Sequence, residues 1–193
     1  MRRTLNYSII YTDNPWRYAD QKANDPAMGG ITYPTMTVEE LSALPVGDLA
    51  AKDCVLFCWA TMPLLREALQ VIEAWEFQYT TCAFCWVKQN PSGQGIYSGL
   101  GHWCCGNAEL VLLAKRGRPQ RISKSVKQIV LAPRGRHSAK PPEVRDRIVQ
   151  LLGDVPRIEL FARERVENWD CWGSEVDSDL VLEAGRWRRR EDV

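Results

Sequence analysis

The sequence contains no run of apolar residues approaching the roughly 18 that a membrane-spanning helix requires. Arg2 and Arg3 are followed by no apolar segment of the kind that forms a secretory signal. Both absences lead to the expectation of a cytoplasmic protein with no membrane partner. An even set of cysteines is also missing. The seven, at positions 54, 58, 82, 85, 104, 105 and 171, lie mostly in apolar, strand-like segments, where a reduced thiol packs as a small hydrophobe. No disulfide framework is expected. There is no internal repeat, no low-complexity tract and no strong bulk charge: the formal net charge is +1, so composition does not announce a polyanionic partner. The local absence of acid is more telling. From Lys115 to Pro142 there is no Asp or Glu, whereas Lys115, Arg116, Arg118, Arg121, Lys124, Lys127, Arg134, Arg136 and Lys140 are all basic, which makes this segment a candidate phosphate-contacting face.

What is present fits one α/β domain: 193 residues, 45% hydrophobic and 25% charged. Tyr7 to Thr12 and Cys54 to Ala60 read as buried strands. Thr37 opens a helix through Leu44, with Glu39 and Glu40 in its first turn. Pro63 to Glu76 carries apolar residues at helical spacing. Further strands are expected at Tyr79 to Lys88, Leu110 to Ala114, Gln128 to Leu131 and Arg157 to Phe161, with a helix at Pro141 to Leu152. This alternation predicts helices on both faces of a mainly parallel sheet. The two long polar segments, Tyr18 to Thr35 and Gln89 to Gly106, fall where strand-end loops carry a site. After Gly173 the chain turns charged and ends in Arg186-Trp187-Arg188-Arg189-Arg190. The domain is therefore drawn over residues 1–176, with a charged extension outside the core over 177–193.

Asp13-Asn14-Pro15-Trp16 follows directly on the first strand, at the carboxyl edge where open α/β sheets bind ligands. By itself the tetrapeptide also fits a strand-terminating turn, since Asp, Asn and Pro are turn formers. Its chemistry suits a more demanding task. The exocyclic amine of adenine is a poor nucleophile because its lone pair is delocalised into the ring. A carboxylate and a backbone carbonyl that each accept one amino hydrogen turn that lone pair outward and stabilise developing positive charge. Asp13 and the Asn14 carbonyl are the candidate acceptors. Pro15 fixes its own φ and biases Asn14 to an extended conformation, and Trp16 is a candidate for stacking on the base.

TDNPWRY, TYPTMTVEEL (Thr32 to Leu41), FCWVK (Phe84 to Lys88), GHW (Gly101 to Trp103), HSAKPPE (His137 to Glu143) and IELFARERVENWDCWGSE (Ile158 to Glu175) occur in this order. Together they resemble the adenine N6-methyltransferases of the messenger-RNA adenosine methyltransferase catalytic-subunit family, especially its short bacterial and phage members. The resemblance implies a single Rossmann-like methyltransferase domain with permuted motif order, the catalytic motif first and a cofactor-binding strand late. It implies S-adenosylmethionine as cofactor, S-adenosylhomocysteine as product, and nucleic acid as partner, with DNA favoured over RNA. Asp13, Lys140, Glu159, Phe161, Arg163, Asn168, Ser174 and Glu175 are the cofactor-binding positions it suggests. Tyr33, Trp16, His102, Trp103, Arg116, Arg134 and Arg136 are the candidates for the substrate side. The sequence departs from the family at Asn14, where a proline is usual, and at Ala162, where a glycine is usual.

Other readings weigh less. Cys82-x-x-Cys85 with His102, Cys104 and Cys105 resembles a thiolate metal site in composition, but the pair at 104 and 105 lacks knuckle spacing and no metal is expected. His137 reads as a polar loop residue. The rival functional class is a non-catalytic nucleic-acid-binding relative of the same fold, kept open by Asn14; an RNA adenosine methyltransferase and a small-molecule methyltransferase are further alternatives. Whether the protein is a monomer or a homodimer is not legible in the sequence.

Overall fold

In the computed structural model, residues 6–18, 33–99, 103–135 and 139–192 are described. The chain forms β1 (Tyr7–Thr12), α1 (Val38–Ser42), α2 (Val46–Leu49), β2 (Ala50–Ala60), α3 (Leu65–Ala74), β3 (Gln78–Gln89), β4 (Ala108–Arg116), β5 (Ile129–Pro133), α4 (Glu143–Leu152), β6 (Arg157–Leu160), β7 (Asp170–Trp172), β8 (Leu180–Glu183) and β9 (Arg186–Arg189). Seven strands make one sheet in the order β5-β3-β4-β2-β1-β6-β7. β1 lies parallel to β2 and β6, β6 to β7 and β3 to β5, while β4 runs antiparallel between β2 and β3. The carboxyl ends of six strands and the amino end of β4 therefore share one edge.

Local chemistry accounts for the elements. Thr37 caps α1: its hydroxyl accepts from the Glu40 amide, and the Glu40 carboxylate accepts from the Thr37 amide at 2.7 Å, a reciprocal capping box. Along α3 the buried residues Ala68, Val71 and Ile72 fall on one helical stripe. α4 begins after two prolines and buries Val144 and Ile148; it stops at Gly153, whose φ of 91° is open to glycine at little cost. Alternation along the strands divides the interior in two. Ile10, Leu56 and Cys58 belong to a core shared with residues of α1 and α3, whereas Ile9, Tyr11, Val55, Phe57 and Trp59 belong to a second core shared with α4. This is the doubly covered, mainly parallel sheet that the periodicity predicts. Among the described residues no helix is long and apolar enough to cross a membrane.

The C-terminal stretch corrects the reading of a charged extension outside the core. β8 and β9 pair as an antiparallel hairpin, and Leu180 (1% exposed) and Leu182 are buried in the first core with Trp187 packed against it. The short apolar alternation in Leu180–Glu183 outweighs the surrounding charge, because the face of the hairpin that carries Leu180, Leu182 and Trp187 packs on the first core while Arg186 and Arg188 face outward; Arg189, opposite Leu180, stays on the inner face. Strand β6 also ends one residue early: Phe161 adopts φ of 57° and turns the chain off the sheet. Leu180→Ala is expected to cost about 2–5 kcal/mol in urea unfolding, as for a buried leucine elsewhere; a loss under about 0.5 kcal/mol, the range of surface substitutions, would return the hairpin to the status of an extension.

Candidate active site

The sheet's carboxyl edge gathers the chemistry. Asp13, Asn14 and Pro15 leave the end of β1, Phe161, Ala162 and Arg163 leave β6, and Ser174 and Glu175 follow β7; with Tyr33 and Pro34 they line one cleft. Two tight approaches build it. The Ala162 amide donates to the Trp172 carbonyl at 2.9 Å, and a Cβ on Gly173 would come within 2.1 Å of the Ala162 carbonyl oxygen. Glycine is therefore required at 173 for the two segments to meet. The Phe161 ring packs edge-on against Trp172 at 4.9 Å between centroids, and the Arg163 guanidinium lies over the Tyr33 ring at 4.7 Å, with its Nε 3.8 Å from Glu175.

Asp13 is held from behind by a chain of alternating charges. Lys140 Nζ lies 2.8 Å from Asp13 and 3.4 Å from Glu109, and Lys88 Nζ lies 2.6 Å from the other oxygen of Glu109. Lys140 and Lys88 stand over the rings of Trp59 and Trp86, at 5.3 and 5.1 Å, and the two indoles meet edge to face. This aromatic floor excludes water and strengthens the ion pairs. Burial opposes the charge on Lys140, but Asp13 and Glu109 outweigh it and hold the ammonium above its usual range. Burial likewise pushes the Glu109 carboxyl upward, and the two lysines reverse that and lower it. Lys88 and Glu109 escaped the sequence reading. They are isolated charges within strands, and the only available signal was a charged residue inside an otherwise apolar run.

The tetrapeptide itself is tightly tied. The Asn14 carbonyl accepts the Trp16 amide at 2.9 Å, leaving its second lone pair, and the Pro15 and Met36 main chains exchange into a short parallel bridge through Met36 N to Pro15 O at 2.7 Å and Arg17 N to Met36 O at 3.0 Å. That bridge corrects the role expected of Trp16. The residue is 6% exposed and belongs to the first core, with a buried Nε1 that has no hydrogen-bond partner among the described residues, so its ring offers no face for a base.

Other expected positions sort by sheet direction. Arg116 ends β4, which runs antiparallel, so it sits at the opposite edge, where it donates to the Gly47 carbonyl and lies 3.3 Å from Glu76. It is a structural residue far from the site. Glu159 is taken by Arg145 of α4 through contacts of 2.7 and 3.2 Å, which ties that helix to β6. Burial raises the Glu159 carboxyl although Arg145 pulls it down. Asn168 lies in a separate depression with Tyr7, Arg157 and Trp169, and its φ of 61° marks it as a turn residue. Arg134, at the end of β5, donates to the Tyr97 hydroxyl at 2.9 Å and covers its ring. Trp103 is fully exposed, at 100%. His102 and Arg136 lie outside the described residues. Among the described residues no three of His, Cys, Asp and Glu are arranged to hold a metal.

Glu109→Gln is expected to destabilise the fold by about 1–3 kcal/mol at pH 7, because two buried ammonium groups lose their shared charge. Glu109 ionises at lower pH in the fold than the ordinary 4.5, so its contribution is complete above that value and is lost as pH falls through the lower folded value. Urea unfolding at a series of pH values should therefore show the gap between wild type and variant closing below that range; a gap constant with pH would contradict the assigned network.

A profile of the MT-A70 family matches residues 7–175. The protein named type II methyltransferase M.MunI, from Mycoplasma sp, is 32% identical over 195 residues, which covers 91% of this chain and 80% of that relative. The N(6)-adenosine-methyltransferase catalytic subunit METTL3 of Homo sapiens is 25% identical over 181 residues, and the N(6)-adenine-specific methyltransferase METTL4 of Mus musculus is 27% identical over 205. The chain spans 29% and 41% of the lengths of these last two.

Proposed function

The chain belongs to the MT-A70 family of adenine N6-methyltransferases, and from that premise we propose that it methylates the N6 amine of adenine in DNA, with Asp13 and the Asn14 carbonyl as the amine's two acceptors. The observation that carries the reading is that Asp13, Asn14, Tyr33, Arg163, Ser174 and Glu175, drawn from four separate stretches of sequence, line one cleft.

Methyltransferases of this family use S-adenosylmethionine, and the donor set of the cleft fits it. Ser174 and Glu175 offer hydroxyl and carboxylate acceptors suited to a ribose diol, Arg163 offers a cation suited to a carboxylate, and Phe161 offers an apolar wall. When bound, this group supplies an electrophilic methyl on a sulfonium. The protein's own residues do the rest. Lys140 fixes the Asp13 carboxylate at 2.8 Å while Glu109 balances its charge, so one acceptor is oriented before the base enters. The Asn14 carbonyl, fixed by the Trp16 amide, supplies the other acceptor. As the amine attacks, its two N–H groups would donate hydrogen bonds to these oxygens and its growing positive charge would face the Asp13 carboxylate; the surplus proton would then leave to water by way of the Asp13 carboxylate, giving the neutral methylamine. With the Trp16 ring buried, the Tyr33 ring backed by Arg163 is the aromatic face assigned to the base.

DNA is preferred on two grounds. The short relatives that the motifs resemble act on DNA, and the type II methyltransferase shares 32% identity against 25% for the adenosine methyltransferase subunit. A duplex substrate requires the adenine to be flipped out at a cost of a few kcal/mol. We place the β8–β9 hairpin within the catalytic domain, and we assign Arg134 to phosphate contact because it stands at the site edge.

Transfer of labelled methyl groups to single-stranded DNA, duplex DNA and RNA of matched sequence tests the reading, with DNA expected to accept the label. Asp13→Ala is expected to lower turnover by about 10²-fold or more, the scale of removing one preorganised electrostatic group. Equal activity in Asp13→Ala would refute the assignment, and label on RNA alone would reverse the substrate preference. In calorimetric titration with S-adenosylhomocysteine, Glu175→Ala is expected to weaken binding about tenfold, the worth of a charge-assisted hydrogen bond; unchanged affinity would remove Glu175 from the cofactor site.

A further inference from the structure

Asn14 supplies a main-chain acceptor from a residue whose φ is not fixed by a ring. A free rotation there would let the carbonyl swing, and a displacement of an ångström at a reacting group costs orders of magnitude in rate. The surroundings of the Asn14 side chain remove that freedom. The Thr12 hydroxyl donates to Asn14 Oδ1 at 2.6 Å, and Asn14 Nδ2 donates to Cys58 Sγ at 3.7 Å. All three residues are buried, Asn14 at 3% exposure. Thr12 and Cys58 are register partners across the parallel β1–β2 pair, so both anchors come from the rigid centre of the sheet.

The orientation of the amide is determined by its neighbours. The Cys58 thiol gives its own hydrogen to the Trp59 carbonyl at 3.6 Å, which leaves a sulfur lone pair to accept and requires the amide nitrogen on that side. Burial pushes the thiol well above its usual range, so the sulfur stays protonated and neutral at working pH. The carbonyl oxygen of the side chain then faces Thr12, whose hydroxyl is a donor there. With χ1 and the terminal amide pinned at both ends, the Cα of Asn14 is held at the strand end. The following Pro15 restricts ψ, and the Trp16 amide holds the main-chain oxygen. The side chain does what a pyrrolidine ring would do by covalent constraint.

We propose that Thr12 and Cys58 are positioning residues for methyl transfer: they clamp the Asn14 side chain and thereby aim the Asn14 main-chain carbonyl at the adenine amine. The inference rests on the methyltransferase reading above and extends it to two residues that touch neither substrate nor cofactor. It also gives the exchange of proline for asparagine in this motif a physical account compatible with catalysis.

A double-mutant cycle in the full chain tests it, with kcat and KM measured on the oligonucleotide accepted by the wild type at saturating S-adenosylmethionine. Thr12→Val keeps the side-chain shape and removes the hydroxyl; it is expected to lower kcat about tenfold, with KM and S-adenosylhomocysteine affinity altered by less than about twofold. In the Asn14→Pro background the ring replaces the clamp, and the same Thr12→Val change is expected to alter kcat by less than about twofold. Cys58→Ala carries the same comparison should the first variant fail to fold. Equal penalties in the two backgrounds, or no penalty in the presence of Asn14, would overturn the clamp while leaving methyl transfer intact. A wild-type protein without Asp13-dependent transfer would overturn both.

Discussion

The Lys140 ammonium, buried between Asp13 and Glu109, is the constraint on which the site depends. Taking a lone charge out of water costs several kcal/mol, and a buried pair recovers that only with good geometry and further hydrogen bonds. Here the signs alternate through Asp13, Lys140, Glu109 and Lys88, so two acids and two bases cancel over a short path. The members come from the end of β1, the β5–α4 connection, the start of β4 and the end of β3. Satisfying these charges therefore joins segments far apart in sequence at one edge of the sheet. The antiparallel direction of β4 is essential to this: only its amino end brings Glu109 to the edge where the other strands finish.

Neutralising that network asks for a dry surface beneath it. Trp59 and Trp86 provide one, and the Trp59 indole is itself held by the Tyr11 hydroxyl at 2.6 Å. The second core and the charges of the ion network are thus mechanically continuous, from α4 through the sheet to Lys140. On the other side of the sheet, the first core fixes Trp16 and Cys58. The Asp13-Asn14-Pro15 turn is clasped between an ion network on one side and packed side chains on the other. Both acceptors proposed for the amine are consequently set before any ligand is present, which is how preorganised electrostatic groups avoid reorganisation during reaction.

Much of this was legible in the sequence where a signal is local. The YSIIYT strand and the helix that Thr37 opens with Glu39 and Glu40 in its first turn each depend on neighbours within a few positions. The readings that changed depend on partners far away. The Trp16 ring looked available because a motif does not reveal that Met36, twenty positions on, bridges to its flanking residues and turns it inward. Arg116 looked like part of one basic face because periodicity identifies a strand without giving its direction. Leu180 and Leu182 were hidden in a charged stretch because a short alternation is weak until a second strand completes the hairpin. Glu159 had the right address, on the late strand, and the wrong neighbour: Arg145 arrives from a helix whose facing could not be read at that resolution of pattern.

The fate of the basic segment has a consequence for how a polyanion can approach. A continuous stretch without acid reads as one face, but the fold divides it. Lys115, Arg116 and Arg118 end at the edge remote from the cleft, where the Arg118 amide is already committed to Asp53 at 2.7 Å. Lys127 and Gln128 precede β5, and Lys127 offers its carbonyl to Arg147 of α4. Arg134 and Lys140 reach the catalytic edge, and Lys140 is consumed by the ion network. On the function proposed above, a nucleic-acid strand in the cleft meets few of the described cations of this segment. The resulting salt dependence reflects only the phosphates contacted at that edge, since each released counterion steepens the slope by about one. On the same proposal, recognition of the base rests on the Asp13 and Asn14 acceptors and the Tyr33 face more than on bulk attraction, and so on the rigidity of that turn.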